Sequence, residues 1–241
     1  MYEERPALAP ELGGAVVWRT EAVGSGRVLP DGCMDLIWAD GALLVAGPDT
    51  GPLLMESGPR VRRFAGVRFA PGDGPDVFGV PAHELTDLRV PLAALWPRRR
   101  VLELTERVAA AADPGAALEA VAAPRLRAAG PREPWRVAAV AALRAGRGVG
   151  ETAARLGLSE RQLRRRSLAA FGYGPKTLAR VLRLQRALRL SRSGVPGAET
   201  AARAGYADQA HLAREVRALT GLPLSLLLAT GHGAGAGTGE G

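Results

Sequence analysis

The sequence predicts an α+β protein built from two unlike parts. Residues 1–97 read as a small antiparallel β-barrel or sandwich, residues 98–130 as a helical connector, and residues 131–229 as an all-α domain of two helix-turn-helix units joined by a long helix. Three observations carry this prediction. Short apolar runs broken by Gly, Pro and Asp fill the first part. Glu151-Thr152-Ala153-Ala154-Arg155-Leu156-Gly157 returns 48 residues later as Glu199-Thr200-Ala201-Ala202-Arg203-Ala204-Gly205, with six of seven positions identical. Charge is also segregated: the net +8 divides into −5 over residues 1–97, +2 over 98–134 and +11 over 135–241. A basic domain attached to an acidic one points to a polyanionic partner for the basic part. Because 31 of the 32 basic residues are Arg, with Lys176 the one lysine, this segregation is more telling than the arginine content itself.

In the first part, Val16-Val17-Trp18, Arg27-Val28-Leu29, residues 33–38, residues 42–46, Leu53-Leu54-Met55 and residues 61–69 are the candidate strands. Pro30-Asp31-Gly32, Asp40-Gly41 and Gly47-Pro48-Asp49 are the turns between them. Trp18, Trp38, Met55, Phe64 and Phe69 are large apolar residues on these strands. Lining a barrel mouth, they would form a small-molecule site; facing inward, they would form a plain core, which every small β-domain needs. Arg62, Arg63 and Arg68 flank Phe64 and Phe69 and favour a polar or anionic ligand. Cys33 reads as a buried small hydrophobe, with a thiol sensor as the alternative, and is counted with the ligand-site candidates.

The connector reads as two helices, over residues 98–112 and 115–123, interrupted by Asp113-Pro114 and Pro124. They either cover the β-domain or serve dimerisation and relay. Pro131 and Pro134 mark the start of the next domain, whose first helix begins at Trp135.

Each copy of the repeat reads as a short helix closed by a glycine. A second helix follows, opening at Ser159 in one copy and at Asp208 in the other, both preferred N-cap residues. Gln162 completes a capping box with Ser159. Arg161, Arg164 and Arg165 then face outward while Leu163 faces inward. In the second copy Gln209, His211 and Arg214 are presented, and Leu212, Val216 and Leu219 form the buried stripe. Such donors suit base edges and phosphates, and arginine can grip guanine through two hydrogen bonds. Two copies are too few for a solenoid, which needs about three or more stacked repeats, so they read as a pair of DNA-reading heads.

Between the copies, residues 175–190 form a helix without internal Gly or Pro. Leu178, Leu182 and Leu188 pack inward, and Arg180, Arg183, Arg186 and Arg189 form an outer stripe that either follows phosphates or is simply solvated. The tail, residues 230–241, is rich in glycine, cannot bury a core and is expected to be disordered.

Residues 135–229 resemble the DNA-binding domain of the AraC family of transcription regulators. The resemblance rests on Gly157-Leu158-Ser159 with Leu163 and Arg165, Gly172-Tyr173-Gly174-Pro175, Ala204-Gly205-Tyr206-Ala207-Asp208 through Arg214, and Gly221-Leu222-Pro223. It implies DNA contacts from Arg161, Gln162, Arg164 and Arg165 in the first unit and from Gln209, Ala210, His211 and Arg214 in the second. Ser167 departs from the family pattern, which has an aromatic there, and suggests that Leu168 or Phe171 repacks into the space. Leu212 and Val216 also replace aromatics, as acceptable core residues. Residues 29–38, 66–72 and 79–85 resemble an uncharacterised sensor-like domain found in front of such DNA-binding domains, which implies a cupin-like fold and a regulatory role.

An enzyme is disfavoured. The chain has three histidines, His83, His211 and His232, so a metal-dependent cupin chemistry lacks its ligands. Residues 172–177 imitate a P-loop, but Pro175 occupies a required glycine position. The single cysteine excludes both an internal disulfide and the multi-cysteine zinc site of alkyl-accepting repair domains. Neither a signal peptide nor an apolar run of about 18 residues is present, so a cytoplasmic, nucleoid-associated location is expected. The expected partners are double-stranded DNA at a promoter operator and a small-molecule effector, with room for RNA polymerase and a homodimer and without a membrane, cofactor or metal. The competing reading is a DNA-binding protein whose N-terminal domain performs chemistry or serves only for assembly.

Overall fold

The structure is a computed structural model that describes residues 2–22, 25–56 and 61–229; the glycine-rich tail lies outside them. The N-terminal part contains strands β1 (Tyr2–Pro6), β2 (Val16–Ala22), β3 (Ser25–Val28), β4 (Asp35–Ala39), β5 (Ala42–Ala46), β6 (Leu53–Glu56), β7 (Arg62–Arg68) and β8 (Arg89–Pro91). Six of them form an antiparallel sheet in the order β1-β2-β7-β4-β5-β8, and β3 pairs with β6 as a separate ribbon. Asp40 and Gly41, with φ of 46° and 86°, form the two-residue turn between β4 and β5. Two positive φ values in succession match the twist of an antiparallel pair, which is why Asp-Gly marks a hairpin. Cys33 lies in the loop before β4, not within the strand expected over residues 33–38.

Alternation along the strands gives the sheet two apolar faces. Val17, Leu36, Val45 and Val67 point into the main core, whereas Trp18, Ile37, Leu44 and Phe64 belong to a smaller cluster on the other side. Two helices, α2 and α3 after the short α1 (Gly74–Phe78), cover the first face. Val101, Leu104 and Val108 of α2 (Arg98–Ala109) and Leu118, Val121, Ala122 and Leu126 of α3 (Pro114–Ala129) join the same cluster as the strand residues. The segment read as a connector is thus a packed layer of the N-terminal half.

Helix α3 runs through Pro124, against the expected interruption. A proline removes the hydrogen bond to the carbonyl four residues earlier, here that of Ala120. Ala120 and Pro124 are both exposed, so water can satisfy that carbonyl while the buried face holds the helix together. Asp113 caps the helix by accepting the Ala116 amide at 3.1 Å.

The C-terminal part is helical: α4 (Pro134–Arg144), α5 (Val149–Arg155), α6 (Glu160–Phe171), α7 (Pro175–Arg192), α8 (Gly197–Ala204), α9 (Gln209–Thr220) and α10 (Leu224–Ala229). At 18 residues α7 is about 27 Å long. Its first half buries Leu178, Val181 and Leu182 against Val140, Leu143, Phe171 and Tyr173. Its second half buries Leu184, Ala187 and Leu188 against Ala201, Leu212, Val216 and Leu219. One helix therefore supplies the floor of both helix-turn-helix units, and its buried stripe shifts around the axis between them.

Candidate nucleic-acid interface

The repeat is preserved in backbone hydrogen bonds. In the first unit Gly157 takes φ 65°, its amide donates to Ala154 O at 3.1 Å, and the Leu158 amide donates to Ala153 O at 2.9 Å. In the second, Gly205 takes φ 86°, its amide donates to Ala202 O at 3.2 Å, and the Tyr206 amide donates to Ala201 O at 2.9 Å. The left-handed glycine reverses the chain and satisfies the last carbonyls of the short helix. Thr152 and Thr200, also equivalent, are both fully buried, but only the Thr200 hydroxyl has a partner among the described residues, Val195 O at 3.1 Å.

After the glycine the two units differ by one residue. Ser159 caps α6 two positions beyond Gly157, whereas Asp208 caps α9 three positions beyond Gly205. The Ser159 cap is reciprocal: its hydroxyl accepts the Gln162 amide at 3.2 Å, and Gln162 Oε1 accepts the Ser159 amide at 2.8 Å. Asp208 accepts the His211 amide at 2.6 Å. Leu163 and Leu212, Ser167 and Val216, and the closing Gly172 and Gly221 are therefore equivalent at a spacing of 49 rather than 48.

The side chains expected at DNA fall into two groups. Arg161, Arg164, Arg165, Gln209, Ala210 and Arg214 are exposed on α6 and α9. Gln162 is exposed but committed to the cap, and half-buried His211 is held by the protein on one side. Its Nδ1 accepts the Ala207 amide at 3.3 Å, and its ring stands edge-on to Tyr206 with centroids 5.3 Å apart. Several neighbouring arginines serve packing instead. Arg166 lies over Trp135 at 5.7 Å, Arg183 over Tyr206 at 5.4 Å, and Arg180 pairs with Glu215. Two of the four arginines in the outer stripe of α7 are thus used to hold α9 and its turn.

Ser167 is 1% exposed, and its hydroxyl has no hydrogen-bond partner among the described residues. One turn further on, Phe171 is buried edge-on against Trp135 with centroids 5.9 Å apart, while Leu168 stays half-buried.

The ligand-site candidates of the N-terminal half do not converge. Trp18, Trp38 and Phe64 border a cleft of about 900 Å3 between the sheet and the α2–α3 loop. Met55 packs against the Trp18, Ala39 and Phe64 cluster. Phe69 is buried in the main core, edge-on to Phe78 at 5.6 Å. Arg62 pairs with Asp40 at 2.7 Å and lies over Phe64 at 5.0 Å, and Arg63, on the cleft wall, pairs with Glu21 at 3.2 Å.

Arg68 is the centre of a buried polar cluster that local sequence gave no means of finding, since its partners are distant in sequence or lie in a loop. Its Nε is 2.9 Å from Asp31 Oδ2 and its Nη2 3.4 Å from Asp35 Oδ2, which also accepts the Trp18 indole N–H at 2.8 Å. Burial pushes the Asp31 carboxyl up to about 6, against the pull of Arg68. Burial likewise raises the Cys33 thiol, with Asp31 adding to the effect, which suits a packed thiol rather than a reactive thiolate.

Residues 152–229 match the family described as Helix-turn-helix domain, and residues 8–91 match a domain of unknown function, DUF6597. No curated protein matches the chain. Among solved structures, ToxT from Vibrio cholerae superposes with a TM-score of 0.52 at 8% identity, covering 95% of this chain and 98% of ToxT. A complex of ToxT with (E)-4-(8-methylnaphthalen-1-yl)but-3-enoic acid gives the same TM-score, identity and coverage. At such identity the likeness establishes the fold, over nearly the full length. Among the described residues no helix is long and apolar enough to cross a membrane. With paired helix-turn-helix units on a shared helix and a family match over the same residues, the C-terminal part is a helix-turn-helix domain, carried behind a β-rich domain of unknown function.

Proposed function

We propose that the two recognition helices read bases in neighbouring major grooves, with Arg161, Arg164 and Arg165 acting from α6 and Gln209, Ala210, His211 and Arg214 from α9. The observation that carries this reading is the exposed arginine face of α6, beside arginines of the same domain that are taken up in packing. Gln162 supports the face through its cap and offers its amide nitrogen. Selection of bound sequences from random DNA, followed by single alanine substitutions, tests the assignment. Loss of a base-reading arginine costs about 1–3 kcal/mol at the selected site and relaxes preference at one position. A loss that is equal on selected and random DNA assigns that arginine to phosphate instead.

We further infer that the N-terminal domain binds a small molecule in the cleft bordered by Trp18, Trp38 and Phe64. Trp38, on the helix-covered face of the sheet, with the paired Arg63 and Glu21 at the rim, suits an amphipathic ligand, and the ToxT complex provides a precedent in a protein of the same fold: a carboxylic acid with an aromatic body. This reading assigns the domain to sensing rather than catalysis, in keeping with the helix-turn-helix match of the C-terminal domain and its resemblance to transcription regulators of the AraC family. Cytoplasmic, nucleoid-associated location, contact with RNA polymerase and a homodimer belong to the same proposal. The test is thermal-shift screening of the full chain against metabolites, with each hit then assayed for its effect on DNA affinity. Stabilisation that Trp38→Ala abolishes supports the cleft; hits that never change DNA affinity refute the sensor role.

A further inference from the structure

Both recognition helices end in the same way, and both ends are held by the N-terminal domain. Gly172 closes α6 with φ 85°, and Gly221 closes α9 with φ 73°. The Thr86 hydroxyl donates to Gly172 O at 2.9 Å, and Arg27 Nη1 donates to Thr220 O at 2.8 Å. Terminal carbonyls of a helix ordinarily turn to water or to a local cap. Here donors about 90 and 190 residues away in sequence take that place.

At Gly172 the contact is steric as well, and at Gly221 the loop lies within ordinary packing distance. A Cβ added at Gly172 would fall 2.3 Å from Pro48 Cγ and 2.8 Å from Thr86 Oγ1. One added at Gly221 would fall 2.9 Å from Arg27 Nη1 and 3.6 Å from Pro52 Cγ. Pro48 and Pro52 lie on the single loop between β5 and β6, so one short, proline-stiffened segment touches both caps.

Between these points the loop after β3 lies along α7. Leu29 is buried among Leu184, Leu188 and the core of the second unit, and Pro30 O accepts Gln185 Nε2 at 2.6 Å. Helix α7 packs against both units, and the N-terminal domain adds a second tie across the glycine turns at its ends. Helix α7 joins α6 through Gly172-Tyr173-Gly174 and α8 through a turn containing Gly194 at φ 82°, and glycine turns have more backbone freedom than other residues.

We propose that the N-terminal domain is a bracket that sets the relative placement of the two recognition helices by holding both at their C-terminal caps, through Thr86 and Pro48 on one and Arg27 and Pro52 on the other. The N-terminal halves of α6 and α9, with the exposed arginines, are left clear for DNA. The inference rests on the reading that both helices engage DNA. Thr86 and Arg27 are positioning residues in it, remote from the bases. They act on the spacing the protein accepts between its two half-sites.

The test uses the full chain and a selected operator, with one base pair inserted or deleted between the two protected segments, which rotates one half-site by about 34° relative to the other. The wild-type protein should lose about tenfold or more in affinity on either altered spacing. The Thr86→Val, Arg27→Ala double variant should keep affinity for the original spacing within about threefold and lose most of the discrimination against the altered ones. Its melting curve, and that of each single variant, shows that the domains remain folded. A spacing preference unchanged from wild type, or a loss of affinity equal at all spacings, overturns the bracket. Protection of a single DNA segment by the wild-type protein overturns the two-headed reading itself and is seen before any variant is made.

Discussion

The Arg180 guanidinium grips the Glu215 carboxylate with two hydrogen bonds, Nε to Oε2 at 2.9 Å and Nη2 to Oε1 at 3.1 Å, fastening the connecting helix to the second recognition helix. This contact holds the Glu215 carboxyl below the usual carboxylate range. A carboxyl lowered in the folded state adds stability above its unfolded value of about 4.3, and the addition is lost as pH falls through the folded value. Comparing melting temperatures of wild type and Glu215→Gln from pH 6 to pH 3 should show the larger fall in the wild type. Parallel curves would remove the pair from the pH response. Because both side chains are partly exposed, Arg180→Ala should cost no more than about 1 kcal/mol.

Ser167 predicts a gain. Its buried hydroxyl has no partner among the described residues, and deleting it removes an unmet desolvation cost. Ser167→Ala should stabilise the protein by about 1 kcal/mol, read as a higher denaturant midpoint at unchanged slope. A lower midpoint would mean that the hydroxyl is satisfied by water in solution.

Gly66 lies directly across the ladder from Trp18, and the indole rests on it: a Cβ there would come within 2.4 Å of the ring. Gly66→Ala must displace Trp18 and with it the hydrogen bond to Asp35, leaving part of the Arg68 cluster unpaired. A loss of about 2–4 kcal/mol is expected from overpacking combined with the loss of a buried hydrogen bond. Tryptophan fluorescence should report a changed environment, and a spectrum and stability equal to wild type would count against this packing.

Asp31 should act opposite to Glu215. Its carboxyl is raised in the folded protein, so its contribution is full below the unfolded value of about 3.9 and is lost as pH rises towards about 6. The stability difference between wild type and Asp31→Asn should therefore shift against the wild type between pH 4 and pH 6. A difference independent of pH in that window would assign the titration elsewhere.

The C-terminal half was legible because its signals are local. Ser159 with Gln162, Asp208, and the glycines at 157, 172, 205 and 221 each announce a helix end within four residues, and the structure has a cap or a left-handed glycine at every one. The N-terminal strands could be read where an apolar run stood between turn residues, as over Ala42–Ala46, and missed where none did, as at β1 with its charged Tyr2–Pro6 and at the three-residue β8. What local patterning could not give was partnership at long range. The apolar faces of α2 and α3 were visible, but nothing in them specified the sheet they cover. Leu29 looked like the end of a strand, yet it packs in the core of the second helix-turn-helix unit. Arg68 looked like one member of a basic cluster, and its two aspartates made it a buried hub.

Under the proposed contacts, the operator takes its character from unlike side chains at equivalent positions of the two recognition helices. Structural equivalents in the recognition helices are 49 apart, so Arg161, Arg164 and Arg165 correspond to Ala210, Ala213 and Arg214. The frames are alike but the reading surfaces are not: one carries three arginines, the other a single arginine beside Gln209, Ala210 and His211. A chain that reads in this way meets a sequence with a head and a tail, neither a palindrome nor a direct repeat. Its orientation on the duplex is then fixed by the order of the two half-sites, and reversing the operator turns the N-terminal domain to face the opposite direction along the promoter.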